Sequence, residues 1–185
     1  NLTQISICIG NTSDKPKFNI QNTKLFGKKF IEFDLAFFAF HGNIGENGPM
    51  QGVMETANIP YTGADILSST IYMSKIDTKS ICKSIGINVL DEITLTKPTI
   101  SEKFNIKELT KKLTIKYPVF IKPANLGSSI GISKANNIDE LHSALLKVFK
   151  LDTKAIIEPF VENLKEYNVA VMKNLDGEII TSTIE

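Results

Sequence analysis

Arginine is absent from this chain: all 21 of its basic residues are lysines. Any anion it recognises must therefore be held by ammonium groups, backbone N–H groups and hydroxyls, because the planar bidentate fork of a guanidinium is missing. Cysteine is scarce as well. Cys8 and Cys82 stand far apart in apolar contexts, the pattern of buried free thiols in a reducing compartment rather than of a disulfide framework. No apolar run approaches the roughly 20 residues that span a bilayer; the longest, residues 33–40, is interrupted by Asp34. Surplus charge is lacking too. A formal net charge of +1 provides no general field for nucleic acid or anionic lipid, so an anion site has to be local. The chain opens on Asn1 without a signal-peptide pattern.

What is present suits a mixed α/β protein. A length of 185 residues with 42% apolar content can bury one large core or two small ones. Residues 5–9 read as a short β-branched strand, followed by a polar turn region. Residues 33–40 (Phe-Asp-Leu-Ala-Phe-Phe-Ala-Phe) are nearly continuous apolar sequence, which predicts a strand buried on both faces in a parallel sheet. The segment His41-Gly-Asn-Ile-Gly-Glu-Asn-Gly48 follows, then Pro49 at a first helical position with Met50, Val53, Met54 and Ala57 at helical spacing. A strand, a glycine-rich loop and a helix make half of a βαβ unit, and ligands bind at the strand ends where His41 and Glu46 would lie.

Ser74 can cap a helix to about Ile85, with Gly86 as its stop. Lys75 then sits in the first turn, where the helix dipole disfavours a cation. That placement fits either an anionic ligand or an ordinary solvated lysine. Beyond a lysine-rich connector with a helix near residues 106–113, a strand over residues 117–122 ends at Lys122. Next comes Asn125-Leu-Gly-Ser-Ser-Ile-Gly131. Gly127 and Gly131 would reach positive φ and let backbone N–H groups approach an anion, with the hydroxyls of Ser128 and Ser129 as further donors. No Gly-Lys-Ser/Thr ends the segment, so it is not the common phosphate loop; alone it reads equally as a tight turn. Residues 130–134 can return as the second strand of a hairpin. Asn137 with Glu140 starts a helix carrying Ile138, Leu141, Leu145 and Val148 on one face. Strands over residues 155–158, 166–172 and 178–184, with an Asp-Gly turn at Gly177, complete the reading.

Four motifs stand in order: His-Gly-x-x-Gly-Glu-x-Gly from His41, Met-x-Lys ending at Lys75, Lys-Pro-x-x-x-Gly-Ser-Ser-x-Gly from Lys122, and Ile-Glu-Pro-Phe-Val followed by Lys-Glu-Tyr-Asn-Val-Ala-Val. Together they resemble the D-alanine-D-alanine ligases of the ATP-grasp superfamily, from about Asp34 to Met172. The resemblance implies an N-terminal parallel α/β domain over residues 1–70, followed by an α+β ATP-grasp domain over residues 71–185. Within the latter, residues 71–158 would form a lid subdomain and residues 159–185 the start of another. It also implies a cytoplasmic enzyme of peptidoglycan precursor synthesis, commonly dimeric, with D-alanine as substrate and no nucleic-acid or membrane partner. Such a ligase phosphorylates one D-alanine carboxylate with ATP, and the amine of a second D-alanine attacks the acyl phosphate.

By the same resemblance, Lys75 and Lys122 contact the nucleotide phosphates, and Gly127, Ser128, Ser129 and Gly131 close over them. Ser128 also helps arrange the first D-alanine, whose pocket His41 and Glu46 shape. Glu158 accepts from the adenine amino group, Pro159, Phe160 and Val161 form the adenine hinge, and Glu166 holds the ribose hydroxyls. The opening Gly-Gly-x-Ser-x-Glu segment and the late carboxylates that bind magnesium have no match here, so no metal ligand is assigned to this chain. The expectation is an internal piece of a ligase, missing both ends and inactive alone. Asn47 replaces a more usual aspartate and Lys165 a more usual arginine. Alternative readings are a degenerate nucleotide-binding remnant, a ligase taking D-lactate or D-serine second, or another ATP-grasp carboxylate-amine ligase.

Overall fold

The computed structural model describes residues 4–8, 17–21, 29–42, 44–98, 105–111 and 113–185. Strands β1 (Gln4–Cys8), β2 (Lys17–Gln21) and β3 (Lys29–Glu32) form an antiparallel sheet in that order. Residues 33–40, expected as a doubly buried strand, take a different form. They run irregularly, with one parallel bridge from Ala36 to Tyr61, and Phe37 is 77% exposed. The Phe38 N–H donates to Thr62 Oγ1 (2.9 Å), while its ring stacks on Tyr61 and meets Phe40 edge-on. Aromatic pairing, not a sheet ladder, orders this run. Among the described residues, the parallel pairing expected of the first 70 is one bridge, within a fold of mixed α/β class.

Helix α1 (Pro49–Thr56) starts behind Gly48, whose φ of 106° only glycine adopts readily; a Cβ there would also meet Thr70 Oγ1 at 2.5 Å. Helix α2 (Ile66–Met73) was not expected. The Asp65 carboxylate caps it by accepting from the Ser68 N–H (2.7 Å). Ser74 ends α2 and caps α3 (Lys75–Ser84), so the two helices meet at one residue. Gly86 follows α3 with φ 80°, the left-handed stop read from sequence.

The larger sheet sets the site. Its order is β4 (Ile93–Thr96), β7 (Lys154–Pro159), β5 (Val119–Pro123) and β6 (Ser133–Ala135), all antiparallel. Helix α5 (Ile138–Leu151) begins as expected, with the Asn137 side chain accepting from the N–H groups of Asp139 and Glu140. Leu141, Ala144, Leu145, Val148 and Phe149 bury its inner face against Val119, Ile121, Ala135, Ala155 and Ile157. Each buried leucine or isoleucine there contributes about 1.5–3 kcal/mol relative to exposure. The short helix α4 (Ile106–Thr110) adjoins α5, where Thr110 Oγ1 lies 2.8 Å from His142 Nε2. Strands β8 (Val171–Lys173) and β9 (Ile179–Thr181) form a hairpin in the region expected, regular over three residues each, with backbone bonds continuing from Ser182 to Ala170 and between Asn168 and Glu185. No described helix is long and apolar enough to cross a membrane.

Candidate nucleotide site

Alternation along β5 divides its side chains between two faces. Val119, Ile121 and Pro123 are buried, the first two in the α5 core, while Phe120 and Lys122 point to the other face. On β7, Glu158 lies in register with Phe120, and Ile156 with Lys122. Glu158 therefore shares the face of Lys122 as its diagonal neighbour, within reach of a long side chain. Lys122 Nζ donates to Glu158 Oε2 at 2.5 Å. The other oxygen, Oε1, accepts from Lys79, one helical turn beyond Lys75 on α3. Lys79 also pairs with Glu92 (2.8 Å), itself within 3.3 Å of Lys83.

These charges are sheltered: Glu158 is 7% exposed. Burial works to raise its pKa, but the bonds from Lys122 and Lys79 outweigh it and hold the carboxyl below the usual range. Burial likewise opposes the charge of Lys79, and its bonds to Glu158 and Glu92 still leave its pKa raised. Lys75 differs. Burial, and next the charge of Lys122, lower its pKa. Its backbone N–H donates to Ala124 O (2.9 Å), and its Nζ donates to the carbonyls of Pro123 (3.0 Å) and Leu126. Two ammonium groups thus converge beside the entrance of the 125–131 loop, a local positive site in a chain of nearly neutral net charge.

The loop is anchored at both ends. The Asp152 carboxylate accepts from the Asn125 N–H (2.7 Å) and from its side-chain amide (3.1 Å). At Gly131, φ is 76°, and a Cβ would meet Pro123 Cγ and Leu151 Cδ1 at 2.9 Å, so close packing requires glycine there. Gly127 corrects the sequence reading: it is not at positive φ and has open space around it. Ser128 (φ 52°) and Ser129 (φ 56°) take the left-handed conformation instead. Residues 127–130 are exposed, with the Ile130 N–H donating back to Gly127 O (3.1 Å) to turn the loop.

Ser128 also joins the two halves of the chain. Its Oγ lies 3.0 Å from His41 Nε2, across 87 positions of sequence. Glu46 folds the His41 loop by accepting from the Gly42 N–H. It also lines a cavity of about 310 Å³ with Phe38, Phe40, Gln51, Thr62 and Tyr72.

At the far end of β7, Pro159 leads into Phe160 and Val161. The Phe160 ring lies 5.1 Å from that of Phe120, with Lys134 Nζ 3.8 Å from its centroid. The Phe160 N–H donates to Pro118 O (3.1 Å). Glu166 is exposed and has no hydrogen-bond partner among the described residues. The structure therefore gathers Lys75, Lys122, Glu158 and the loop, and separately His41, Glu46 and Ser128; it leaves Glu166 outside. Phe120, Lys79 and Glu92 were missed. Alternation from Lys122 would have found Phe120, and the i, i+4 spacing from Lys75 would have found Lys79, whereas Glu92 carries no local signal. Among the described residues, no group of three or more His, Cys, Asp or Glu side chains could hold a metal ion, so they do not fit a self-contained magnesium site.

An antiparallel sheet backed by α5, with the lysines of α3 and β5 and a small-residue loop on its other side, agrees with the ATP-grasp class that the motifs resemble. Comparison with known proteins makes this more particular. The family model for the D-ala D-ala ligase C-terminus matches residues 81–184, and that for the N-terminus matches residues 4–64. The D-alanine--D-alanine ligase of Chlorobium chlorochromatii is 43% identical over 143 residues, covering 77% of this chain and 39% of the relative. That of Enterococcus faecalis is 42% identical over 159 residues, covering 82% and 45%. Among solved structures, the D-alanine-D-alanine ligase from Helicobacter pylori superposes with a TM-score of 0.76 at 29% identity, over 92% of this chain and 53% of that one. VanG D-Ala:D-Ser ligase from Enterococcus faecalis gives 0.78 at 31% identity, over 100% and 49%. The chain belongs to the D-alanine-D-alanine ligase family, and it spans less than half the length of these curated relatives.

Proposed function

We propose that the protein ligates two D-alanines to D-alanyl-D-alanine with ATP, for peptidoglycan precursor synthesis in the cytoplasm. The observation that carries this reading is the convergence of Lys75, Lys122 and Glu158 beside the 125–131 loop, whose Ser128 bonds to His41. Residues 1–70 supply the D-alanine side and residues 71–185 the nucleotide side, with residues 71–158 as the lid.

Phosphoryl transfer to a carboxylate requires positioning and charge neutralisation. Lys75 and Lys122 offset the charge of the phosphates, and the N–H groups and hydroxyls of Gly127, Ser128, Ser129 and Gly131 cover them. Glu158 accepts from the exocyclic amine of adenine. Because Pro118 O already occupies the Phe160 N–H, the backbone of Val161 is the part of the hinge left to meet the ring edge. Pro159 ends β7 opposite Val119 and leads into the hinge, and Glu166 takes the ribose hydroxyls. Ser128, oriented by His41, holds the first D-alanine, with Glu46 shaping the loop around it. The amine of the second D-alanine attacks the resulting acyl phosphate, forming the C–N bond and releasing phosphate. Magnesium accompanies ATP and would offset further phosphate charge.

D-serine as the second substrate is the alternative with support, given the likeness to a D-Ala:D-Ser ligase. The test is the full-length protein with ATP, magnesium and D-alanine, alone and with D-serine. D-alanine-dependent phosphate release with D-alanyl-D-alanine as product is expected; mixed dipeptide in excess would favour the alternative. No amino-acid-dependent phosphate release would overturn both.

A further inference from the structure

Glu158 holds two ammonium groups where one would neutralise it. Lys122 serves Oε2 and Lys79 serves Oε1, in a site from which water is largely excluded. In the reading above, Lys122 also belongs to the phosphates and Glu158 to the base. A Lys122 drawn on toward the phosphates gives up its 2.5 Å contact with Glu158 as that carboxylate turns to the base. Lys79 is then the cation left on the carboxylate. It does not follow Lys122, because Glu92 holds it from the other side at 2.8 Å. Among the described residues, the charged groups facing Glu158 are Lys79 of α3, Lys122 of β5, Glu92 ahead of β4 acting through Lys79, and Lys75 at longer range.

We propose that Lys79, fixed by Glu92, is a positioning residue that keeps Glu158 ionised and aimed at the base once Lys122 leaves, and so sets the preference for a 6-amino purine over a 6-oxo purine. An ionised carboxylate only accepts hydrogen bonds. It matches the exocyclic amine of adenine and repels the carbonyl oxygen of hypoxanthine. A protonated carboxyl carries a donor and serves that oxygen well. Without Lys79, a sheltered Glu158 deserted by Lys122 takes up a proton, and discrimination is lost.

This inference rests on the nucleotide-ligase reading, and its test separates the two. Dissociation constants for ATP and inosine triphosphate, each with magnesium, are measured by calorimetry on the full-length protein and on Lys79→Met, Lys79→Arg and Glu92→Gln. Wild type prefers ATP. In Lys79→Met, ATP binding weakens about tenfold or more while inosine triphosphate binding holds or improves, so the ratio falls toward one. Lys79→Arg retains the ratio, and Glu92→Gln, which keeps Lys79 in place less firmly, lowers it partway. Equal weakening of both nucleotides in Lys79→Met and Glu92→Gln would overturn the proposal by reducing the pair to a structural role. If Lys79→Met fails to fold, Glu92→Gln decides alone. A wild-type protein that binds neither nucleotide would overturn both readings together.

Discussion

Replacing Lys122 by alanine removes the cation on which the nucleotide reading depends most. In the ligand-free protein the loss is cushioned, because Lys79 still holds Glu158 and the substitution leaves Ile121 and Pro123 untouched in the core. With ATP the loss is exposed. A charge-assisted hydrogen bond to phosphate contributes about 1.5–3 kcal/mol, a factor of roughly ten to 150 in affinity. At an ATP concentration of about 100 times the wild-type dissociation constant, binding stabilises the folded state by about 2.7 kcal/mol. For a domain of this size that raises the melting temperature by roughly 5–10 °C. A tenfold weaker variant retains about 1.4 kcal/mol of that stabilisation, and a hundredfold weaker one about 0.4 kcal/mol. Thermal unfolding followed by dye fluorescence, with and without ATP and magnesium, therefore shows the wild-type shift cut to about half or less. Lys147→Ala, on the exposed face of α5, serves as the control and keeps the full shift. An undiminished shift in Lys122→Ala would refute its role at the phosphates.

Further outcomes follow from the same geometry. Asn137→Ala deletes the α5 cap and costs about 1 kcal/mol, read as a lower urea midpoint with unchanged slope; no change would mean the two capping bonds contribute nothing. Leu145→Ala, fully buried between α5 and the sheet, costs about 2–5 kcal/mol in the same assay. Glu158 and Glu92 titrate lower in the folded protein than in the unfolded chain, so their contribution is complete above the ordinary carboxyl range. It declines as pH falls below about 5 toward the folded-state values, and Glu92→Gln makes that decline in urea midpoint shallower. Ser128→Ala raises the KM for D-alanine strongly and that for ATP less, because the backbone N–H groups of the loop still cover the phosphates; a rise for ATP alone would remove Ser128 from the D-alanine side.

Features encoded within a few residues of one another were legible in the sequence. The Asn137 cap with its apolar stripe, the Ser74 cap, the Gly86 stop and the strand ending at Lys122 all rest on local hydrogen bonding and period. Residues 33–40 were misread because an apolar run reports burial propensity without saying which partner supplies it. Here Tyr61 and Thr62 do so, with no neighbouring strand on either side among the described residues. Helix α2 escaped notice although Asp65 and Ser68 carry its capping spacing, because Ser74 drew the start of the helical signal to itself. The left-handed backbone fell on Ser128 and Ser129 rather than on Gly127, since the tight constraint on glycine in this loop comes from packing at Gly131. The pairing of Lys79 with Glu92 and Glu158 is a tertiary fact; residues 79 positions apart share no pattern a sequence can display.

The central claim is that this site drives joining of two D-alanines at the expense of ATP. Its most direct measurement is mass-spectrometric detection of D-alanyl-D-alanine alongside phosphate, from full-length protein given ATP, magnesium and D-alanine. The account predicts one dipeptide for each phosphate released, with both lost in Lys122→Ala at limiting ATP. Phosphate release that ignores D-alanine, or no dipeptide from protein that binds ATP, would contradict it.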